Sequence, residues 1–301
     1  VLDTYGGNLQ NKEAHMRRLY IPDEGKVFFQ PDQDGAEARI VAHLTERGKY
    51  RELFDNDIKV HSFVSLHMFR DKWEAENKTL DYKELLATPI SKLQTNPHWR
   101  PFNLLAKSSD NWPAKKRYYY LAKQTSHSAN YGIRGPTFQM NVLEKSGGQI
   151  ALTRKEADFF LQFYRSMFPE IPHWNYETAK QVHKTKVLYN LFGHPREFTG
   201  DEHSHSFDQE AYAFVPQSTV GELTHMAYRD TQSYIEENKK DWDLLVNTHD
   251  GLLCQLPKEE GEEFTKVVTD AFGREMISPR GEKFRMKIEI KCNGTNWSFE
   301  K

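Results

Sequence analysis

The sequence predicts an α+β protein in which strands from both ends of the chain build a sheet and a long helical stretch lies between them. Three observations carry this. KVFFQPD (26–32) is a short aromatic and apolar run that follows Glu24-Gly25. NTHDG (247–251) lies between Leu244-Leu245-Val246 and Leu252-Leu253, and Asp-Gly between apolar runs is a strong hairpin signal. Between these two segments most apolar residues recur at helical rather than alternating spacing.

The elements follow in order. KVFFQPD reads as the first strand. AEARIVAHLTERG (36–48) places Ala36, Ile40, Val41 and Leu44 on one helical face, and Gly48 stops it. Residues 56–70 and 79–87 read as helices. Pro97, Pro101 and Pro113 mark a looser segment, and Pro113 opens a helix over 114–131 that Gly132 ends, the expected Pro-first, Gly-last asymmetry. A helix over 153–166 begins with Thr153 and Glu156, a capping box. Another covers 173–185, followed by the candidate strands VLYNLFG and PREFTG. Residues 208–236 are helical. The hairpin follows, with a type I′ turn expected at Asp250-Gly251 because such turns need φ > 0 at both central residues. A helix over 257–273 and the strand FRMKIEIKC (284–292) end the pattern.

Composition excludes several classes. The chain has 301 residues, 38% hydrophobic and 28% charged, with a formal net charge of −2. That is long enough for two or three compact units. No apolar run approaches a membrane span, and VLDTYGGNLQN has no signal-peptide character, so a cytoplasmic location is expected. Two cysteines, Cys254 and Cys292, are too few for a disulfide framework or a cysteine zinc site. A nucleic-acid-binding domain is usually basic, so any such surface here must be local. Residues 107–134 offer one: Lys107, Lys115, Lys116, Arg117, Lys123 and Arg134 against the single acid Asp110. A solvated helix face is the plain alternative.

Two patterns carry chemistry. Asp32 ends the first strand and Asp250 sits at the hairpin tip. Two carboxylates on adjacent strand ends can hold a pair of divalent ions about 3.5–4 Å apart, the arrangement that activates a hydroxyl and stabilises the leaving oxygen in phosphoryl transfer. Mg²⁺ suits such a site because it takes few protein carboxylates. On the helix 114–131, Lys123, His127, Lys116 and Tyr131 share a face at spacings of four, seven and eight. Cations for phosphates and flat rings for a base are what a nucleoside triphosphate asks for.

These motifs, in this order, resemble family A DNA polymerases, the group of bacterial DNA polymerase I and many phage replicative enzymes. QPDQDGAEARIVAHL (30–44) resembles motif A, AKQTSHSANYG (122–132) motif B and NTHDG motif C. Weaker matches are NLQN (8–11), RRLYIP (17–22), DIKVHS (57–62), FPEIPHW (168–174), NLFG (190–193) and EAYAFVPQST (210–219). The resemblance implies a right-hand polymerase palm, an antiparallel sheet, with a helical fingers insertion: palm over 1–50, fingers over 51–185, palm again over 186–301, and a thumb mostly missing. It implies DNA-directed DNA synthesis from dNTPs on primer–template DNA with two Mg²⁺ ions, Mn²⁺ being able to substitute.

The resemblance also implies roles. Asp32 and Asp250 hold both metal ions, helped by the Gln33 backbone carbonyl. Lys123 neutralises the triphosphate, and His61 lies near its β and γ phosphates. Tyr131 guards the insertion site. Glu37 is the steric gate against a ribose 2′-hydroxyl. His249 touches the primer terminus, Gln217 the minor groove, and Arg39 is structural. The pattern departs from the family in four places. Tyr119 stands where motif B has arginine, with Lys116 the candidate substitute. His127 replaces the aromatic beside the nucleotide. Gly251 stands where motif C often has Glu, and Ala213 replaces an asparagine. These departures point to a divergent phage branch, acting in a bacterial host cell, and the chain is expected to be either a fragment or one part of a split polymerase whose thumb and exonuclease lie on a separate chain. The alternatives are a nucleic-acid-binding subunit that keeps the fold without catalysis, and a related single-subunit RNA polymerase, which Glu37 disfavours.

Overall fold

Sheet-forming residues come from both ends of the chain and helices from its middle, in the α+β arrangement the sequence predicts. The computed structural model describes residues 9, 14–107 and 116–299. Its first half runs α1 Ala14–Arg17, β1 Lys26–Gln33, α2 Ala36–Leu44, α3 Lys49–Asp55, α4 Val60–Met68, α5 Arg70–Glu76, α6 Tyr82–Ala87, α7 Ile90–Leu93, α8 Trp99–Lys107 and α9 Lys116–Asn130. Next come α10 Gly135–Lys145, α11 Arg154–Met167, α12 Glu170–Thr185, β2 Val187–Tyr189, β3 Pro195–Glu197 and α13 His205–Asn238. The chain closes with β4 Asp243–Asn247, β5 Leu252–Pro257, α14 Gly261–Phe272, β6 Glu275–Ile277, β7 Lys283–Arg285 and β8 Ile288–Asn293. Among the described residues, no helix is long and apolar enough to cross a membrane.

The chain divides into two compact units. The first combines the described residues up to Ile40 with Tyr189–His194 and Val215–Lys301. Its centre is a four-stranded antiparallel sheet in the order β4-β5-β1-β8. Strand β1 pairs with β5 from Lys26↔Pro257 to Phe29↔Cys254, and with β8 from Phe28↔Asn293 to Gln33↔Ile288. Alternation then sorts the faces. Phe28 packs with Leu253 and Trp297, and Phe29 packs on Phe264 of α14 at 5.3 Å between ring centroids. Cys254 and Cys292 sit on opposite sides of β1, both facing Phe29 in register, and no disulfide joins them.

The second unit spans Val41–Leu188 and Pro195–Phe214 and is helical apart from the short β2–β3 pairing. Helix α9 packs against α4, α8, α10 and α11. Aromatic rings fill it: Trp73 meets Phe102 at 5.4 Å, and Tyr50 meets Phe168 at 5.1 Å.

Three expectations need correction. The segment read as loose around Pro97 and Pro101 contains α8. Pro101 lies in its first turn, where a missing N–H costs nothing, while Trp99, Phe102 and Ala106 bury one face. The final strand is two: β7 pairs with β6, and only β8 joins the main sheet. Helix α12 starts at Glu170 rather than His173 because Pro172 falls in its first turn. The capping box is present: Thr153 accepts from the Glu156 amide, and Glu156 accepts from the Thr153 amide. Pro113, the expected start of the helix containing Lys123, lies outside the described residues, as does most of NLQN (8–11) and all of Lys115 and Asp110.

Candidate active site

In the first unit the two aspartates meet at the end of the sheet. Strand β1 continues past its last β5 partner, and its backbone closes on the hairpin tip instead. The Gln33 amide donates to the Asp250 carbonyl at 2.8 Å, and Asp32 forms an antiparallel bridge with Gly251. This leaves Asp32 and Asp250 on neighbouring backbone segments beside a cavity of about 330 Å³, which Asp34, Glu289, Lys291 and Arg17 also line. Burial, then the charge of Asp32, pushes the Asp250 carboxyl above its ordinary range, and Glu37 adds to the push.

The hairpin turn is not the one the dipeptide predicts. Neither Asp250 nor Gly251 has positive φ; His249 does, at 67°. The Asp250 amide donates back to the Thr248 carbonyl at 2.8 Å, so His249 is the centre of a γ-turn, a rare and strained one when φ is positive. Gly251 serves another need. A Cβ there would press into the Pro31 carbonyl oxygen and Asp32 Oδ1. Close approach of two backbones, rather than turn chirality, fixes glycine at the position where motif C often has Glu.

Each acid has its supports. Gln30 Nε2 donates to both oxygens of Asp32, at 2.9 and 3.0 Å, and Lys291 Nζ lies 3.1 Å from Oδ2. The buried Trp297 indole N–H donates to Gln30 Oε1 at 3.0 Å. Gln33 is buried, and its side chain donates to Thr224 Oγ1 of α13 at 2.7 Å; that hydroxyl also lies 3.1 Å from the His249 carbonyl. Arg39 is buried and pairs with Asp34. His249 is exposed on the turn and Gln217 exposed on α13, and no hydrogen bond joins them among the described residues.

The pair fits a divalent ion. Among the described residues no group of three or more His, Cys, Asp or Glu could by itself hold a metal ion; the candidate ligands are the Asp32 and Asp250 carboxylates, with Asp34 and Glu289 lining the same cavity. That suits Mg²⁺, which keeps several of its waters, better than a dedicated all-protein cage would. A half-buried Asp250 pushed upward by a second carboxylate is the electrostatic situation a cation relieves.

In the second unit, Lys123 and His127 lie on the exposed side of α9, while Ala122, Thr125, Ser126 and Ala129 face inward. Lys116 is the first residue of α9; its side chain lies outside the described residues. His61 on α4 is half-buried and meets His127 at 5.3 Å and Tyr119 edge-on at 6.0 Å. Its buried Nδ1 has no partner among the described residues. Desolvation holds His61 well below its ordinary range, and His127, Lys123, Lys59 and Lys107 add to this. Packing and the charges of Lys123 and Lys145 lower His127 likewise.

Tyr131 follows the end of α9, where Gly132 takes φ 68°. Amide Ile133 donates to Ser128 and Gly132 to Ala129, a Schellman ending. A buried network fixes this end. Asn130 Nδ2 donates to the Tyr50 hydroxyl at 3.1 Å, Tyr164 donates to Asn130 Oδ1 at 2.8 Å, and Asn175 donates to the Asn130 carbonyl at 3.0 Å.

Sequence reasoning missed Gln30, Lys291, Trp297 and Thr224, and the Asn130 network. Only Gln30, two residues from Asp32 and so on the same strand face, had a local signal.

Residues 108–298, more than half of the chain, match the family described as DNA polymerase family A. The chain is 22% identical to DNA polymerase I of Bacillus caldotenax over 304 residues, covering 96% of this chain and 29% of that protein. It is 23% identical to the mitochondrial DNA polymerase I B of Oryza sativa subsp. japonica over 297 residues, covering 94% and 27%. The chain thus spans under a third of the length of these relatives. The solved POL domain of Pol1 from M. smegmatis, in complex with DNA primer-template and dNTP, superposes with a TM-score of 0.68 at 16% identity, covering 97% of this chain and 45% of that one. The chain shares the fold of that solved domain, and with the family match over more than half its length it belongs to DNA polymerase family A.

Proposed function

We propose that this chain carries out template-directed DNA synthesis, adding deoxynucleotides from dNTPs to a primer 3′-hydroxyl. The observation that carries the reading is the meeting of Asp32 and Asp250 through the Gln33–Asp250 hydrogen bond and the Asp32–Gly251 bridge. Asp32, Asp250 and the Gln33 carbonyl are the groups to hold two Mg²⁺ ions, with Mn²⁺ able to replace them. When bound, such a pair activates the attacking hydroxyl and stabilises the departing pyrophosphate.

Residues 1–50 and 186–301 are read as palm and 51–185 as fingers, although the compact units break at Ile40 and group Pro195–Phe214 with the helical unit. Phosphoryl transfer asks the protein mainly for positioning and charge, and the remaining residues supply these. Lys123, with Lys116 as its helper further back along α9, neutralises the triphosphate. Desolvation and nearby lysines favour the neutral form of His61, so it meets phosphate as a hydrogen-bonding group while the lysines carry the charge, and His127, exposed on α9, offers its ring to the base. Tyr131, held by the Asn130 network, guards the insertion site. Glu37, at the start of α2, presses on the sugar where a 2′-hydroxyl would sit. His249, projected by its strained turn, meets the primer end, and Gln217 the minor groove.

The test is primer extension with Mg²⁺ and dNTPs by the wild-type protein beside Asp250→Asn. The variant keeps the fold and loses extension by at least about a hundredfold, the scale expected when a main electrostatic stabiliser is removed. Equal extension by both proteins would rule the mechanism out.

A further inference from the structure

We propose that Lys291 is the resident counter-cation of Asp32: it neutralises this carboxylate while no divalent ion is bound and yields the oxygen when one enters. The protein's own ammonium then sets how tightly it takes the metal. This inference rests on the polymerase reading above.

The register of the sheet places the parts. Gln30 and Asp32 are two apart on β1 and share a face. Their partners on β8 are Lys291 opposite Gln30 and Glu289 opposite Asp32. Asp32 therefore faces one carboxylate directly across the sheet and has Asp250 beside it at the hairpin tip. Like charges directly opposite in a sheet destabilise it. Lys291 reaches diagonally to Asp32 Oδ2 at 3.1 Å and offsets that repulsion.

The two groups holding Asp32 differ in what they can do. Gln30 is neutral and buried, and Trp297 fixes its amide through a 3.0 Å hydrogen bond from an indole that is 1% exposed. It is a clamp that orients Asp32 with or without a metal. The Lys291 side chain is 42% exposed, so it can swing toward water at small cost. A cation entering the cavity repels it and needs the oxygen it occupies.

The experiment titrates Mg²⁺, without DNA or nucleotide, into wild type, Lys291→Met, Lys291→Gln and Lys291→Arg, following heat of binding and thermal unfolding. With the ammonium removed, the Lys291→Met and Lys291→Gln proteins melt at lower temperature without metal and bind Mg²⁺ roughly tenfold more tightly, since a unit charge a few ångströms away no longer competes. Lys291→Arg stays near wild type. The Gln variant serves if the Met variant fails to fold. Unchanged or weaker Mg²⁺ binding in the neutral variants overturns the proposal, because a merely structural lysine would lower the melting temperature alone. Absence of Mg²⁺ binding in every protein also overturns it. Primer extension by wild type against Asp250→Asn then judges the function separately.

Discussion

A Cβ at Gly251 would sit 3.1 Å from Asp32 Cα as well as against the Pro31 carbonyl, and neither neighbour can retreat without parting β1 from the hairpin tip. Gly251→Ala is therefore expected to cost about 1–3 kcal/mol, the scale of overpacking, read as a lower urea midpoint, and to abolish extension because it moves both carboxylates apart. The charge state of Asp250 gives a second expectation. Its pKa is raised by burial and by Asp32, so in the metal-free protein the charged form costs stability. That cost is absent below the ordinary aspartate pKa and is incurred in full once pH exceeds the raised folded value. Asp250→Asn should accordingly melt higher than wild type at neutral pH without metal, and gain less from added Mg²⁺. A variant that melts lower than wild type in metal-free buffer would contradict this.

At the scale of elements, α9 is held at its C-terminal end by polar contacts that no helical pattern announces. Tyr164→Phe removes the hydroxyl that donates to Asn130 Oδ1 and leaves a buried acceptor without its donor, at about 1–3 kcal/mol. Since Asn130 precedes Tyr131, KM for dNTP should rise more than kcat falls; equal effects on both, or none, would show that the network does not position the insertion site. The hairpin β4–β5 teaches a related lesson. Asp-Gly correctly marked the reversal, because both residues are poor strand formers between apolar runs. The local rule misassigned the left-handed residue, because Gly251 was needed for close approach and the turn chirality passed to His249.

For the whole molecule, periodicity was enough to read the helical middle and the terminal strands, since apolar spacing reflects which face is buried. Pro101 hides the helix 99–107 from the apolar pattern, although a first-turn proline breaks nothing. The division of the last strand escaped because nothing in FRMKIEIKC interrupts the pattern; only the choice of partner separates β7 from β8. The same limit hid Lys291, Trp297 and Thr224. Their contacts depend on which strand or helix lies beside β1, a long-range fact, whereas Asp32 and Asp250 were recognised through motifs. The central claim is that these two acids together hold a metal pair. The most direct measurement is anomalous scattering from crystals of the protein with primer–template DNA, dNTP and Mn²⁺. The expected result is two peaks about 3.5–4 Å apart, both in contact with Asp32 and Asp250. Ordered carboxylates with no peak between them, or with peaks bound elsewhere, would contradict it.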